Sequence, residues 1–252
     1  MGKLIVITGR GGSGKTAFAA LATRFLPTPQ LLIDADADQS LASMLGIDLE
    51  KSGISTISDV LYDIRTSEGD SANLGTMPLP QKIEYLLQMS CLYESNDFDL
   101  LSTGVKWTQG CYCFPNEILR GILPEMAKSY PVTVVDAPGG LEHINRRIAN
   151  EIDDLFVVMD PSSKALRNVE RLKQISAEIN ITYENIYLVA NHRFSESRVE
   201  PLQQIEGATY LGRIPADEQV EEYDWNNRSL RELPESSPAL QAVGEILQQA
   251  GY

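Results

Sequence analysis

The chain has 252 residues, 43% of them hydrophobic, which is enough for one large α/β domain with a buried core. Its net charge of -14 and pI near 4.6 oppose a general affinity for nucleic acid or for an anionic membrane, because both would repel it. No apolar run approaches the roughly 20 residues needed to cross a bilayer, and the start of the chain lacks a signal-peptide layout. Three cysteines do not form a secreted disulfide framework, so the composition favours the cytoplasm.

A glycine-rich octet near the start of the chain gives its most specific signal. Residues 9–16 read GRGGSGKT, follow an apolar run and fit the phosphate-loop pattern GxxxxGK[ST]. The backbone N–H groups of such a loop form an anion-sized nest at the N-terminus of the next helix. We expect Lys15 to neutralise the β and γ phosphates of a nucleoside triphosphate, and Thr16 to place its hydroxyl on Mg²⁺. The predicted nucleotide-binding residues of this segment are Gly11, Gly12, Ser13, Gly14, Lys15, Thr16 and Ala17. The alternative is a glycine-rich turn that binds nothing.

Apolar, β-branched runs predict strands that are buried on both faces, at residues 4–8, 31–34, 98–102, 132–136, 155–159, 185–191 and 209–212. Helical patterns lie between most of them. Residues 56–65 and 79–88 are predicted helices, and another helix begins with Ser162 or Ser163 as N-cap. Its apolar stripe is Leu166, Val169, Leu172 and Ile175. The last helix is predicted to begin at Ser237-Pro238 and to run towards Gln249.

Alternating β and α units predict an α/β fold: a mostly parallel sheet with helices on both faces, in one domain over residues 1–252. Ligands of such sheets bind beyond the C-terminal ends of the strands, which is where the glycine-rich octet lies.

Two other predicted strands end in carboxylates. The first ends in Asp34-Ala35-Asp36-Ala37-Asp38, and carboxylates at the tip of a buried strand are costly unless they meet cations or water. A magnesium nucleotide site supplies both, whereas an acidic surface turn is the alternative. The second ends at Asp136, which matches the Walker B role of holding magnesium through its water shell, while the Gly139 N–H approaches the γ-phosphate. Lys15, Thr16, Asp36 and Asp136 thus form one proposed constellation.

The nucleobase is less clearly indicated. Residues 190–193 read ANHR and end a strand with the amide of Asn191, but they lack the NKxD pattern of guanine recognition, which favours adenine. Arg193, in the same segment as Asn191, is a further candidate for the nucleotide pocket. Residues 212–217, which include Pro215, follow the last strand and could line the base pocket. An ordinary loop there is the alternative.

The loop and several later segments carry a family resemblance. Arg10 is a second basic residue inside the loop, where the MinD, ParA and nitrogenase-iron-protein clade has KGGxGK[ST]. Within that clade the chain resembles the CooC-type ATPases, which assist nickel insertion into carbon monoxide dehydrogenase. The resemblance spans nearly the whole chain and is carried by residues 34–36, 110–113, 140–143, 160–162, 212–220 and 222–224.

The resemblance implies roles for individual residues. Lys15 and Thr16 would serve the phosphates and magnesium, Asp36 would orient the attacking water, and Asp136 would be the Walker B carboxylate. Further implied roles are adenine contact for Asn191 and Pro215, and metal binding for Cys111 and Cys113.

Arg10 departs from the family pattern. The family normally has a lysine there that reaches the phosphate of the partner in an ATP-bound dimer. Arginine keeps the charge and adds a planar, multidentate donor, so the contact could persist with altered geometry. The alternative is that Arg10 is merely solvated on the loop. A second departure is Pro138-Gly139 after Asp136, which is more like ParA than the CooC-type branch.

The cysteines suggest a metal. Cys111 and Cys113 lie in a segment at about 107–115 and are too close for a relaxed disulfide, but in an extended segment they can offer two thiolates to a soft metal. Two sulfurs are half of a four-ligand site, and a twofold dimer supplies the other half. Buried small residues are the alternative to a metal site. Cys91 has no partner at ligand spacing and is expected to be a core thiol.

The combined prediction is a cytoplasmic, magnesium-dependent ATPase that forms a homodimer on binding ATP and holds Ni²⁺ or Zn²⁺ between four cysteines. Its expected partner is a nickel enzyme such as carbon monoxide dehydrogenase, with no nucleic acid and no membrane. One alternative is a positioning ATPase of the MinD or ParA kind, which the acidic charge and the absence of Lys or Arg after Arg231 oppose. The other is an ATPase that carries an iron-sulfur cluster.

Overall fold

A computed structural model describes residues 2–66, 77–104, 120–122, 124–139 and 151–252. This part of the chain contains a sheet of eight strands. The strands are β1 (Lys3–Gly9), β2 (Gln30–Asp34), β3 (Leu92–Glu94), β4 (Phe98–Ser102), β5 (Val132–Asp136), β6 (Glu151–Met159), β7 (Thr182–Ala190) and β8 (Thr209–Arg213).

The strand order is β3-β4-β2-β5-β1-β6-β7-β8. Every neighbouring pair is parallel except β3 and β4, which are antiparallel. The parallel strands therefore all end at one edge of the sheet, and β1, with its glycine-rich continuation, lies between β5 and β6. The predicted mostly parallel sheet is confirmed.

Helices connect the strands. They are α1 (Lys15–Ala22), α2 (Ser40–Met44), α3 (Ile57–Thr66), α4 (Leu79–Leu86), α5 (Ser163–Glu178), α6 (Glu200–Gln203), α7 (Glu218–Trp225) and α8 (Pro238–Ala250). The segment Leu87–Cys91 continues α4 as a π-helical turn, and Glu196–Arg198 and Leu230–Glu232 are short 3₁₀ turns. A further helical stretch includes residues 120–122 and 124–127.

Two apolar clusters pack on opposite faces of the sheet, as expected for helices on both sides. One joins α1 and α8 to the sheet, and in it the rings of Phe18 and Phe156 lie 5.4 Å apart between centroids. The other packs α3 and α5 through Val60, Val169 and Leu172. Strands such as β2 and β5 are covered on both faces, so their apolar residues form continuous runs and not an alternating pattern.

The predicted helix starts are confirmed where capping chemistry marks them. The Ser162 hydroxyl accepts a hydrogen bond from the Ala165 N–H at the start of α5, and the Ser237 hydroxyl accepts one from the Leu240 N–H at the start of α8. Within the described ranges, no helix is at once long enough and apolar enough to cross a membrane.

The edge strand β3 was not predicted, because it is only three residues long and partly exposed. Strands β6 and β7 begin at Glu151 and Thr182, earlier than predicted, because their first residues, EIDD and TYE, form no apolar run. Hydrogen bonding along a parallel ladder extends a strand without requiring apolar side chains.

Candidate functional site: a phosphate loop and three carboxylates

The glycine-rich loop turns sharply between β1 and α1. Gly12 has a φ of 72° and Gly14 a φ of 93°, a left-handed conformation that other residues adopt only at a cost. The turn is closed by the Ser13 N–H, which donates to the Arg10 carbonyl at 3.1 Å. A Cβ added to Gly12 or Gly14 would meet no atom within 4 Å, so this side of the loop is open. The loop can therefore receive an anion.

The start of α1 favours negative charge. No acidic residue lies in its first turn, and Lys15 and Thr16 are both buried. The positive end of the helix dipole and the unpaired N–H groups of the first turn attract phosphate. Lys15 Nζ also lies 3.7 Å from Asp36 Oδ2, so the structure brings the loop lysine and the predicted water-orienting carboxylate together.

Asp34 and Asp136 are register partners at the ends of the adjacent strands β2 and β5. Both are fully buried. Burial and the nearby Asp136 carboxylate together raise the pKa of Asp34 to about 7. Burial likewise raises the pKa of Asp136 to about 6, against the opposing effects of the Lys15 ammonium and the Thr16 hydroxyl. A cation near these strand ends would favour the ionised form of Asp136.

The surroundings of Asp136 are those expected of a magnesium ligand. Neither of its carboxylate oxygens has a hydrogen-bond partner of good geometry among the described residues, although the Thr16 hydroxyl is near enough to influence its pKa. A buried, uncompensated carboxylate costs free energy unless a cation or ordered water meets it. Oxygen donors are the ligands that Mg²⁺ prefers. The chemistry of Asp136 and Thr16 thus fits a hydrated magnesium ion.

Gly139 lies against the phosphate loop. A Cβ built on Gly139 would be 3.0 Å from the Gly11 backbone nitrogen and 3.2 Å from its Cα. The segment after β5 thus touches the loop backbone directly, and glycine is the residue that permits the contact.

Arg10 does not extend freely into solvent. Its Nη1 donates to Asp160 Oδ2 and to Ser162 Oγ, both at 2.8 Å, and the Ser162 hydroxyl donates to Asp160 Oδ1 at 2.7 Å. Burial alone would raise the pKa of Asp160, but the Ser162 hydroxyl and the Arg10 guanidinium outweigh it, so this pKa lies below its ordinary value. In the isolated protomer, Arg10 is thus tied to the start of α5.

A cavity of about 150 Å³ lies on the other side of the loop. Its lining is mainly apolar and includes Ala17 and Phe18 of α1, Pro215 after β8 and Val220 of α7. This shape and polarity suit a planar heterocycle next to the phosphate loop.

Asn191 also lines the cavity, but its amide is engaged with the scaffold. Its Nδ2 donates to the Ser13 carbonyl at 3.2 Å, and its Oδ1 accepts from the Arg193 N–H at 3.1 Å. One amide N–H therefore remains to meet a ligand. Arg193 contributes this backbone contact and does not line the cavity.

The predicted metal ligands Cys111 and Cys113 lie outside the described residues. Cys91 is buried, and burial raises the pKa of its thiol, as suits a core thiol. The described ranges contain no cluster of three or more His, Cys, Asp or Glu side chains arranged to hold a metal ion.

The contact of Asp160 with Arg10 was not predicted from the sequence. Asp160 appeared only within the segment 160–162 that carried the family resemblance. Like Asp34 and Asp136, it directly follows or ends a buried strand of the parallel sheet, and that shared position was the signal available. The sequence does not indicate that Phe18 and Val220 line the cavity, because an apolar residue on a helix is usually predicted to be part of the core.

Comparisons with known proteins agree with this geometry. Residues 4–230 match the CobQ/CobB/MinD/ParA nucleotide binding domain. An uncharacterized ATP-binding protein of Methanocaldococcus jannaschii is 32% identical, with 98% of this chain and 97% of that protein covered. The carbon monoxide dehydrogenase accessory protein CooC of Rhodospirillum rubrum is 27% identical over 98% of this chain and 95% of its own.

Solved structures show the same fold. A putative plasmid partition protein of Borrelia burgdorferi bound to AMPPNP superimposes with a TM-score of 0.71 at 18% identity, with 98% of each chain covered. The chain therefore belongs to the CobQ/CobB/MinD/ParA family and is a P-loop ATPase of the MinD/ParA type.

Proposed function

We propose that the protein hydrolyses ATP at the loop of residues 9–16 and uses the cycle to load or deliver a soft metal ion. The observation that carries the ATPase site is the convergence of Lys15, Asp36 and Asp136 at the open loop. In this proposal the N–H groups of residues 11–17 hold the phosphates, and the Lys15 ammonium neutralises their charge. Thr16 and Asp136 would hold Mg²⁺, which would neutralise charge that develops on the phosphate oxygens.

Asp36 is the carboxylate proposed to orient the attacking water. Asp34 and Asp136 are fully buried, whereas the Asp36 side chain is 25% exposed. A carboxylate that solvent reaches can receive a water molecule from solution and present it to a phosphate bound at the loop. Because Asp36 lies beside Lys15, the water that it orients would lie near the phosphate end of the nucleotide.

The cavity beside α1 is proposed to hold adenine. Its apolar lining, which includes Pro215 and Phe18, would exclude water from the ring faces. The remaining Asn191 N–H would donate to a ring nitrogen. Arg193 would act indirectly, because its N–H fixes the orientation of the Asn191 amide.

Dimerisation and metal handling form the second half of the proposal. We propose that Cys111 and Cys113 of two protomers bind Ni²⁺ or Zn²⁺ as cargo, and that the receiving protein is a nickel enzyme such as carbon monoxide dehydrogenase. Support comes from the cysteine spacing and from the Rhodospirillum rubrum relative, a carbon monoxide dehydrogenase accessory protein that aligns over nearly the whole chain. A soft thiolate pair suits such ions.

Arg10 is proposed to contact the partner's nucleotide in the dimer. To do so it has to leave Asp160 and Ser162. More than a third of the Arg10 side chain is exposed, so solvent screens the ion pair, and breaking it costs about 0.5–1 kcal/mol. An ATP-dependent dimer interface can supply that amount.

The proposed contact between Arg10 and the partner's nucleotide predicts a specific effect of Asp160→Asn. The substitution weakens the contact within the protomer, so the ATP-bound dimer should form at a lower protein concentration, with Arg10→Ala abolishing the gain. Weaker dimerisation of the Asp160→Asn variant would show that Arg10 works where it lies in the isolated protomer. Sedimentation velocity with a nonhydrolysable ATP analogue measures both variants.

The nucleotide assignment is tested by Lys15→Ala and Asp36→Asn. Lys15→Ala should lose ATP binding, measured by fluorescence anisotropy of a labelled nucleotide. Asp36→Asn should bind ATP normally and turn it over slowly. Unchanged affinity in the first variant, or a normal rate in the second, would contradict the corresponding role.

The metal assignment is tested by size-exclusion chromatography with elemental analysis of the apo, ADP-bound and analogue-bound protein. The proposal expects one metal ion per dimer, lost in the Cys111→Ser/Cys113→Ser variant, with Cys91→Ser as the matched control that keeps the metal. Tight metal in the double variant would contradict the cysteine site. Cosedimentation with liposomes or DNA in the presence of ATP would instead support a positioning ATPase. Visible absorbance after anaerobic preparation would support an ATPase that carries an iron-sulfur cluster.

A further inference from the structure

The Asp34 carboxylate stands at a strand end, yet it is engaged by backbone N–H groups of its own loop. It is fully buried, and each of its oxygens accepts a hydrogen bond from its own loop. The Asp36 N–H donates to Oδ1 at 3.1 Å, and the Leu41 N–H donates to Oδ2 at 3.0 Å. One carboxylate therefore ties together the two ends of the loop that joins β2 to α2.

A second buried side chain holds the same loop from the neighbouring strand. Thr103 directly follows β4 and is 1% exposed. Its N–H donates to the Asp34 carbonyl at 2.9 Å, and its hydroxyl lies 3.1 Å from that carbonyl and 3.4 Å from the Asp36 carbonyl. The Asp36 N–H is thus held by Asp34, and the Asp36 carbonyl has two more distant donors, the shared Thr103 hydroxyl and the Gln39 N–H, each at 3.4 Å.

The Asp36 side chain has little else to fix it. Its ion pair with Lys15 is long, at 3.7 Å, and the Asp38 N–H approaches its Oδ1 only to 3.5 Å. The location of this carboxylate therefore depends on its backbone. That backbone is held by the two buried groups described above and by the Ala35 N–H, which donates to the Asp136 carbonyl at 3.0 Å.

We infer that Asp34 is a positioning residue for Asp36, with the Thr103 hydroxyl as its second support, and this inference rests on the proposed role of Asp36 in orienting water. A displacement of about 1 Å in a catalytic group can reduce turnover by about 100-fold without changing substrate binding. Loosening the loop should therefore lower kcat and leave nucleotide affinity intact.

Asp34→Asn tests the inference with little change in volume. The amide keeps one acceptor oxygen and places an NH₂ group against a backbone N–H, so one of the two loop bonds is lost. We expect kcat for ATP to fall about 10- to 100-fold, with the ADP dissociation constant and the magnesium dependence within about threefold of the parent protein. Equal losses in kcat and in nucleotide affinity would overturn the inference, because they would show general damage to the site.

Thr103→Val gives a milder, nearly isosteric version of the same test. It removes the hydroxyl and should lower kcat about threefold to tenfold, since only the weaker support is lost, and Thr103→Ser should restore the parent rate. A normal kcat in Thr103→Val, or no recovery in Thr103→Ser, would remove Thr103 from the inference. Because this variant keeps the buried volume, it remains informative if Asp34→Asn folds poorly.

Asp154→Asn is the matched control. Asp154 is another buried carboxylate, 1% exposed, and it accepts from Asn185 Nδ2 at 2.8 Å. It pairs with Ile5, far along β1 from the glycine-rich loop. This variant should lose stability while its kcat stays unchanged, and a fall in kcat as large as that of Asp34→Asn would overturn the inference.

The Asp36→Asn background separates this inference from the proposed function. If Asp34 acts through Asp36, then Asp34→Asn causes no further loss of kcat in a protein that already carries Asp36→Asn. An additional loss of the full size would show that Asp34 acts by another route. A normal rate in Asp36→Asn alone would instead contradict the proposed function, whatever the Asp34 variants do.

Discussion

The buried Asp136 carboxylate should lower the stability of the protein in the absence of nucleotide and magnesium. It is fully buried without a hydrogen-bond partner of good geometry among the described residues, and its pKa lies near 6 instead of its ordinary value of 3.8. Because the folded protein retains this proton to a higher pH than the unfolded chain does, stability is lost as the pH rises from about 4 to about 6 and is then constant.

The magnitude follows from the displacement of the pKa. Each pKa unit corresponds to about 1.4 kcal/mol, so the ionised Asp136 costs the folded protein about 3 kcal/mol at pH 8 and about 1 kcal/mol at pH 4.5. Asp136→Asn removes this cost but buries an amide, which subtracts about 1–2 kcal/mol at every pH. The gain from the substitution should therefore be about 2 kcal/mol larger at pH 8 than at pH 4.5.

The Asp34 carboxyl also makes the gain from Asp136→Asn larger at pH 8 than at pH 4.5. The Asp136 charge is one of the causes that raise the pKa of Asp34, so its removal also makes Asp34 easier to ionise. Urea unfolding of both proteins at the two pH values, with EDTA and without nucleotide, measures the difference. A gain that does not change with pH, or a loss that grows towards pH 8, would refute the explanation from desolvation. Asp154→Asn serves as the control, since that carboxylate has an amide and an ammonium as partners.

Three further substitutions test other contacts. Gly139→Ala places a methyl against the loop backbone and should weaken ADP binding about tenfold in an anisotropy titration. Gly121→Ala is the control, because a Cβ there meets no atom within 4 Å and ADP binding should not change. Equal ADP affinities of the two variants would argue against the contact between Gly139 and the loop. Ala17→Leu fills part of the cavity and should weaken ADP binding more than pyrophosphate binding, as measured by calorimetry. Equal losses of affinity for the two ligands would show that the adenine base does not bind in this cavity. Ser237→Ala removes the cap of α8 and should cost about 1 kcal/mol in urea unfolding with kcat unchanged, while exposed Ser236→Ala should cost little.

Much of this architecture could be predicted from the sequence because it depends on local patterns. The strand that precedes the glycine-rich loop, the helix that follows it and the serine caps of α5 and α8 are encoded by neighbouring residues. Parallel strands covered on both faces must be apolar, so their runs were visible, and a carboxylate that interrupts such a run marked the functional edge.

The directions of the polar side chains could not be predicted in the same way. Nothing near Arg10 in the sequence indicates Asp160, which lies 150 residues away and becomes a neighbour only because β1 and β6 pair. Asp34 and Asp36 occupy similar positions in the sequence, yet one is fully buried against backbone N–H groups and the other reaches solvent. That difference depends on where the loop turns after β2, and on Thr103 of the neighbouring strand.

The three carboxylates show why the site should respond strongly to its ligand. Asp34 is satisfied by backbone N–H groups and can hold a loop, Asp36 is accessible and can meet water, and Asp136 is buried and lacks compensation. Of these, Asp136 alone gains greatly when a hydrated cation arrives, since a cation offsets the cost of its burial. Gly139, three residues later, touches the phosphate loop, so the segment after β5 meets both the cation site and the phosphate site. A magnesium nucleotide would therefore stabilise this segment from two sides at once, whereas phosphate without the cation would leave Asp136 uncompensated.

We expect magnesium and ADP to bind with positive cooperativity in the parent protein, and Asp136→Asn to abolish it. Calorimetric titration of ADP with and without Mg²⁺ measures this coupling, and an equal magnesium effect in both proteins would show that Asp136 is not its source.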